Sequence, residues 1–137
     1  MNVTTTSRAT GHPGYSETLP REPGSAATAR RLVRVALAAW GLDDVAEDGA
    51  VIVSELVSNA VRHARRESIR VMVERTAVRT VRVAVADFSR ARPVPRAPGN
   101  GEEGGRGLFL VAALAAAWGT DERQWGKVVW ADVEGRG

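Results

Sequence analysis

Glu55-Leu56-Val57-Ser58-Asn59-Ala60-Val61-Arg62-His63-Ala64 lies inside a long helical pattern and carries polar groups that a simple core helix does not need. At about 100° per residue, with Ile52 at zero, Ile52, Val53, Leu56, Ala60, Val61 and Ala64 fall on one stripe, with Val57 at its far edge. Glu55, Asn59 and Arg62 gather on one flank of that stripe, within roughly 60° of one another. An acid and an amide, one helical turn apart, therefore stand one above the other beside the core. They are either a solvated edge or the wall of a site, and the surrounding chain has to decide between the two.

The chain has 137 residues, the size of one domain, long enough to build a two-layer core without staples. It has no cysteine, which excludes a disulfide framework, a thiolate zinc site and a thiol nucleophile. Its two histidines, His12 and His63, are far apart and have no carboxylate cluster beside them, which argues against a metal held by protein ligands alone. Met1-Asn2-Val3-Thr4 lacks the basic and apolar regions of a signal peptide. The longest apolar run, Leu108 to Trp118, is mostly alanine and too short to span a bilayer. The expectation is a cytoplasmic protein with no membrane partner. Nineteen basic residues against sixteen acidic ones give a net charge of +3, and Lys127 is the one lysine. The arginines are spread out and aromatic residues are few, which argues against direct nucleic-acid binding.

Residues 1 to about 13 are rich in Thr, Ser, Gly and Pro and read as a disordered tail, leaving 14–137 as the folded domain. Tyr15 to Leu19 reads as a short edge strand stopped by Pro20. Ser25 offers an N-cap to a first helix whose apolar positions are Ala29, Leu32, Val33, Ala36, Leu37 and Trp40, ended by Gly41. Arg30, Arg31 and Arg34 lie off this face, as a solvated surface or a docking surface. Asp43 or Asp44 caps the second helix, which runs to about Arg65. Ser68 to Arg75 and Arg79 to Asp87 alternate as two strands of a hairpin, with Ile69, Val71, Val73, Val81, Val83 and Val85 on the covered face. Phe88 to Gly105 is a long Pro/Gly-rich loop of the kind that forms lids. A third helix is expected from Gly107 to about Ala117, broken by Gly119. Strands follow at Thr120 to Gln124 and Lys127 to Glu134. The pattern implies an α+β fold: a two-layer sandwich of a mixed, mostly antiparallel sheet with three helices on one face.

Two further features accompany the helix flank. Asp87 ends a strand of apolar alternation, where a carboxylate either starts a turn or accepts a hydrogen bond from an amino group. Gly104-Gly105-Arg106-Gly107-Leu108 sits at a loop-to-helix junction, either as a hinge or as a cradle whose backbone N–H groups and helix dipole meet an anion. It fits neither the P-loop nor the dinucleotide fingerprint.

Together these residues resemble a known family. Glu55 to Ala64 is similar to the N box of the GHKL (Bergerat-fold) ATPase superfamily. Val85-Ala86-Asp87-Phe88-Ser89 is similar to its first glycine box, and Gly105-Arg106-Gly107-Leu108-Phe109-Leu110 to its second. Within the superfamily the chain most resembles the stand-alone anti-sigma regulatory factors, which are serine/threonine protein kinases. Trp118-Gly119 and Gly126 to Trp130 resemble that branch's closing hairpin, and the likeness covers about residues 15 to 135. The resemblance implies a histidine kinase-like ATP-binding domain over 14–137, with ATP and Mg²⁺ as cofactors. Asn59 would hold the Mg²⁺. Asp87 would accept the adenine amino group. Gly105, Gly107 and Leu108 would cradle the phosphates with Arg106 as an added contact. Glu55 would be the general base. One departure stands out: the family's Asp-x-Gly-x-Gly reads Asp87-Phe88-Ser89-Arg90-Ala91 here. His63, inside the N box, is expected to be a structural or site-edge residue rather than a phosphoacceptor.

The resemblance implies two functions. One is a kinase that passes the γ-phosphate of ATP to a serine or threonine of an anti-anti-sigma-like partner. The other is a non-catalytic ATP-binding regulator that sequesters a sigma factor or other protein. The same resemblance suggests a homodimer.

Overall fold

A computed structural model describes residues 12–64, 66–88 and 109–136, together with the backbone of 3–7. Strands β1 (Val3–Ser7) and β2 (Pro13–Pro20) lead into helix α1 (Ser25–Ala39). A 3-10 turn (Asp43–Val45) then feeds helix α2 (Ala46–His63). Strands β3 (Ser68–Ala77) and β4 (Thr80–Asp87) form a hairpin. A short helix α3 (109–114) precedes the hairpin of β5 (Ala117–Arg123) and β6 (Gly126–Glu134). The strands make one six-stranded sheet in the order β1-β2-β3-β4-β6-β5.

The α+β sandwich expected from the sequence is present, with one correction to the sheet. Every pairing among the described strands is antiparallel, so the sheet is not mixed. The reason is that β5 lies at the sheet edge and the tight turn after it sends β6 back between β5 and β4, antiparallel to both. A second correction concerns β2. It is not the edge strand, because β1, within the stretch expected to be a tail, pairs along it from Val3↔Glu17 to Ser7↔Pro13. Val3-Thr4-Thr5-Thr6 is β-branched throughout, and main-chain pairing on a sheet edge needs no apolar face.

The core lies between one face of the sheet and the helices. Ile69, Val71 and Val73 of β3, Val81, Val83 and Val85 of β4, and Val129, Ala131 and Val133 of β6 form one cluster with Ala29, Leu32, Val33, Ala36 and Leu37 of α1 and Ile52, Val53, Leu56, Val57 and Ala60 of α2. Val111 of α3 joins it. Both helices thus turn the predicted stripes inward. Helix α1 lies over β2 and β3, and α2 lies over β4 and β6.

The helix ends differ in detail from the expected caps. Ser25 is the first helical residue rather than the cap, and its hydroxyl donates to the Pro20 carbonyl at 2.5 Å. Pro20 is the last paired residue of β2, and its carbonyl also accepts from the Glu22 N–H at 2.8 Å, so Ser25 ties the helix start to the turn that leaves the strand. At the other end Gly41 has φ +71°, and its N–H reaches the Ala38 carbonyl while the Leu42 N–H reaches that of Leu37. This is a Schellman ending, and Leu42 is buried behind it. Asp43 and Asp44 lie in the 3-10 turn and cap nothing with their side chains; the Asp44 carboxylate accepts instead from the Arg136 backbone N–H at 2.7 Å.

Gly119 was expected to break a helix running to Ala117. Instead the described part of α3 ends at 114, and Ala117 and Gly119 are both in β5. Gly119 is there because it pairs with Trp130, whose ring lies 2.9 Å from where a Cβ would sit. Trp130 in turn supports Arg82, whose guanidinium lies 3.9 Å over the indole and forks onto Asp132 at 2.8 and 3.0 Å.

The two helices are set close by a second glycine. A Cβ on Gly49 would lie 3.0 Å from Val33 Cγ1 and 3.5 Å from Leu37 Cδ2. Arg30 donates to Ser54 Oγ at 2.9 Å, and Arg34 forks onto Glu47 at 2.9 and 3.1 Å, so the pair is also clasped at its rim. Gly49→Leu is expected to lower stability by about 2 kcal/mol through overpacking, and Val33→Ala in the same chain should recover part of that loss. Urea titrations of the two single variants and the double variant measure both effects.

Candidate functional site

The orientation of α2 along the sheet follows from what each of its ends touches. At its start, Leu42 packs near Gly135, and Asp44 holds Arg136, just beyond the end of β6. At its finish, Arg21 donates to the Val61 carbonyl at 3.1 Å and to the Arg66 carbonyl at 2.8 Å, while its own N–H reaches the Glu67 carbonyl. Arg21 directly follows β2, so the last turns of α2 stand over the edge where β2 ends and β3 begins. In the register of the sheet this is also the end of β4. Leu19 pairs with Ile69, Ile69 with Asp87, and Asp87 with Lys127. Eighteen helical residues and eight strand residues each span about 27 Å, so α2 runs the length of β4 and finishes near Asp87.

The rotation of α2 about its axis is fixed as well. Ile52, Leu56 and Ala60 face the sheet, while Gly49 and Ser54 face α1. Glu55 and Asn59 consequently lie on the flank turned away from α1, on the side of β4 and β6, and both are half-buried. About 6 Å of rise separates them along the axis. The solvated-edge reading would leave two exposed side chains. Neither is exposed, whereas Ser58 and Arg62 on the same turns are.

Asp87 is the floor of this region. It follows Val81, Val83 and Val85 in alternation, so its side chain is on the helix-facing side of the sheet, and it is 3% exposed. Its backbone is fixed from the far side by the β5–β6 turn. Gly126, with φ +154°, comes so close that a Cβ there would overlap the Asp87 carbonyl oxygen. Next to it the Phe88 and Trp125 rings stack at 5.3 Å between centroids with a 37° tilt. The backbone that carries this buried carboxylate is thereby held in place.

Of the residues singled out in the sequence, Glu55, Asn59 and Asp87 are therefore brought to one end of the domain. Gly105, Arg106, Gly107 and Leu108, with the loop from Ser89 onward, lie outside the described residues. His63 is half-buried at the end of α2, at the rim of the same region. Three positions were not singled out as part of the site. Lys127 is the cross-strand neighbour of Asp87, and Gly126 and Trp125 brace the chain there. Gly126 was visible as a turn residue and as part of the closing-hairpin likeness; that the turn comes up against Asp87 depends on the β4–β6 register, which no local pattern carries.

Among the described residues no group of three or more His, Asp or Glu side chains could enclose a metal ion. A single amide oxygen such as that of Asn59 suits Mg²⁺ carried in on phosphates, because that ion keeps several waters and takes few protein ligands. No described helix is long and apolar enough to cross a membrane.

The chain matches the histidine kinase-like ATPase domain over residues 19–132, which is most of its length, and it belongs to that family. Membership implies ATP binding. No curated protein matches the chain.

Gly126→Ala is expected to cost about 2–3 kcal/mol, because the methyl group meets the Asp87 carbonyl in a conformation that side chains avoid. Gly135→Ala, which only crowds the flexible ends of Leu42 and Arg79, should cost much less. Thermal melts of the two variants compare them directly.

Proposed function

We propose that the domain binds Mg·ATP between the Glu55–Asn59 flank of α2 and Asp87, and that it transfers the γ-phosphate to a serine or threonine of a protein partner similar to an anti-anti-sigma factor. The observation that carries this is the shared, half-buried placement of Glu55 and Asn59 on the one flank of α2 that reaches the Asp87 end of the sheet. An acid alone would serve many purposes. An acid and an amide one turn apart can divide the work of proton removal and phosphate positioning.

Each residue then has a distinct task. The Asp87 carboxylate accepts a hydrogen bond from the adenine amino group, and its burial makes a base that offers a carbonyl there costly to bind. Asn59 directs its side-chain oxygen toward the metal on the phosphates. When bound, Mg²⁺ offsets the negative charge of the phosphates. Glu55 takes the proton from the partner's hydroxyl as that oxygen forms its bond to the γ-phosphorus. The bond from phosphorus to the bridging β,γ-oxygen breaks, and ADP leaves. The partner carries the phosphate away as a phosphoserine or phosphothreonine.

A second reading is favoured by the sequence after Asp87. Ser89 and Ala91 stand where the superfamily's first glycine box has glycines. Side chains there suit a regulator that binds ATP and holds a sigma factor or other protein without transferring phosphate.

Mg·ATP is expected to raise the melting temperature of the wild-type chain, and Asn59→Ala should abolish that rise. Asp87→Asn should lose the preference for ATP over GTP, measured by competition. With labelled ATP, Mg²⁺ and a candidate partner, Glu55→Ala should bind nucleotide normally yet transfer about 10²–10⁴-fold more slowly. Transfer at the wild-type rate in Glu55→Ala removes Glu55 as the base. Nucleotide and partner binding with no label on the partner selects the regulator.

A further inference from the structure

Asp87 has a charged neighbour on the floor of the nucleotide region. Strand β6 pairs with β4 without a break from Thr80↔Glu134 to Asp87↔Lys127. Directly opposed residues of an antiparallel pair send their side chains to the same face, with Cβ atoms about 5 Å apart. Lys127 also alternates with Val129, Ala131 and Val133, which are all in the core. Its side chain therefore leaves the sheet on the helix-facing side, immediately beside the Asp87 carboxylate. It is half-buried, and it is the one lysine of the chain.

An ammonium placed there to stabilise the sheet would close on a carboxylate. Two stand in the same cross-strand row, Asp87 on β4 and Glu122 on β5. Lys127 is ion-paired with neither. Glu122 is exposed, where an ion pair contributes little. What the row does offer is a buried acceptor with a half-buried donor at its side. The six-membered ring of adenine has the matching edge: its exocyclic amino group donates, and the adjacent ring nitrogen, N1, accepts.

We propose that Lys127 donates a hydrogen bond to N1 of the adenine whose amino group Asp87 accepts, so that the two cross-strand neighbours read the base together. The contact rests on Asp87 being the adenine acceptor, and it is independent of whether phosphate is then transferred. N1 of adenine carries no proton at neutral pH, so it needs a donor, and neither a carboxylate nor an aliphatic side chain at position 127 would supply one. An ammonium is a charged donor and makes a stronger bond than a neutral group. Lys127 is thus a specificity-determining residue: it senses the atom beside the amino group, which Asp87 alone does not.

The test compares ATP with 1-deaza-ATP, in which a C–H replaces N1 and the amino group is kept. Affinities for the full chain are measured by titration calorimetry in the presence of Mg²⁺. The wild type should bind 1-deaza-ATP about tenfold more weakly than ATP. Lys127→Met keeps the aliphatic stem and removes the donor; it should bind ATP about tenfold more weakly than the wild type and no longer distinguish the two nucleotides. An ammonium that acts only on the phosphates would weaken both nucleotides alike in Lys127→Met and leave the preference for ATP in place, and that result overturns the proposal. Equal wild-type affinity for the two nucleotides overturns it as well, and this comparison needs no variant to fold. A wild-type chain that binds neither nucleotide overturns the nucleotide reading itself and this contact with it, whereas ATP bound without regard to N1 overturns the role of Lys127 alone.

Discussion

The apolar stripe of α2 rests on β4, and the positions of Glu55 and Asn59 follow from that contact. Ile52, Leu56 and Ala60 share one core with Val81, Val83 and Val85, all essentially without solvent. Close packing of this kind leaves a helix little freedom to roll. With the stripe fixed downward and Gly49 fixed against Val33 and Leu37, the flank carrying Glu55 and Asn59 has one direction left to face. The site is thus a by-product of the core in the literal sense: the same rotation that buries Leu56 presents Asn59.

The second constraint is applied from below. Asp87 is at the end of a strand, where side chains commonly fray, yet it is held between β3 and β6 and pressed by the turn at Gly126. The Phe88–Trp125 stack continues the brace one residue past the strand.

Much of this architecture could be read in the sequence, because the elements that make the core repeat their apolar residues at helical or strand spacing. The stripes of α1 and α2 and the alternation of β3, β4 and β6 are of this kind, and Glu55, Asn59 and Asp87 stood out against them as polar exceptions. What escaped was non-local. Gly119 looked like a helix breaker because a glycine has the same letter whether it stops a helix or admits the Trp130 ring. The Thr-rich start looked disordered because main-chain pairing of β1 with β2 leaves no apolar pattern in the sequence to read. Ser25 looked like a cap because its pull toward Pro20 depends on where β2 leaves the sheet. Glu17 was passed over within a short strand, although a charge at an alternating core position is itself a readable signal.

The order of the strands also bears on how the domain can change over time. Hairpins join β3 to β4 and β5 to β6, so the β4–β6 pairing alone closes over the span from Phe88 to Trp125. The entropy of closing such a span grows only with the logarithm of its length, about 0.6 kcal/mol for each doubling. Changes within that span are constrained at α3, whose Val111 enters the core, and at β5, which pairs along β6, as well as by the Asp87–Lys127 register. Closing the span and placing Asp87 are carried by the same strand pair, so a change that disturbs one disturbs the other.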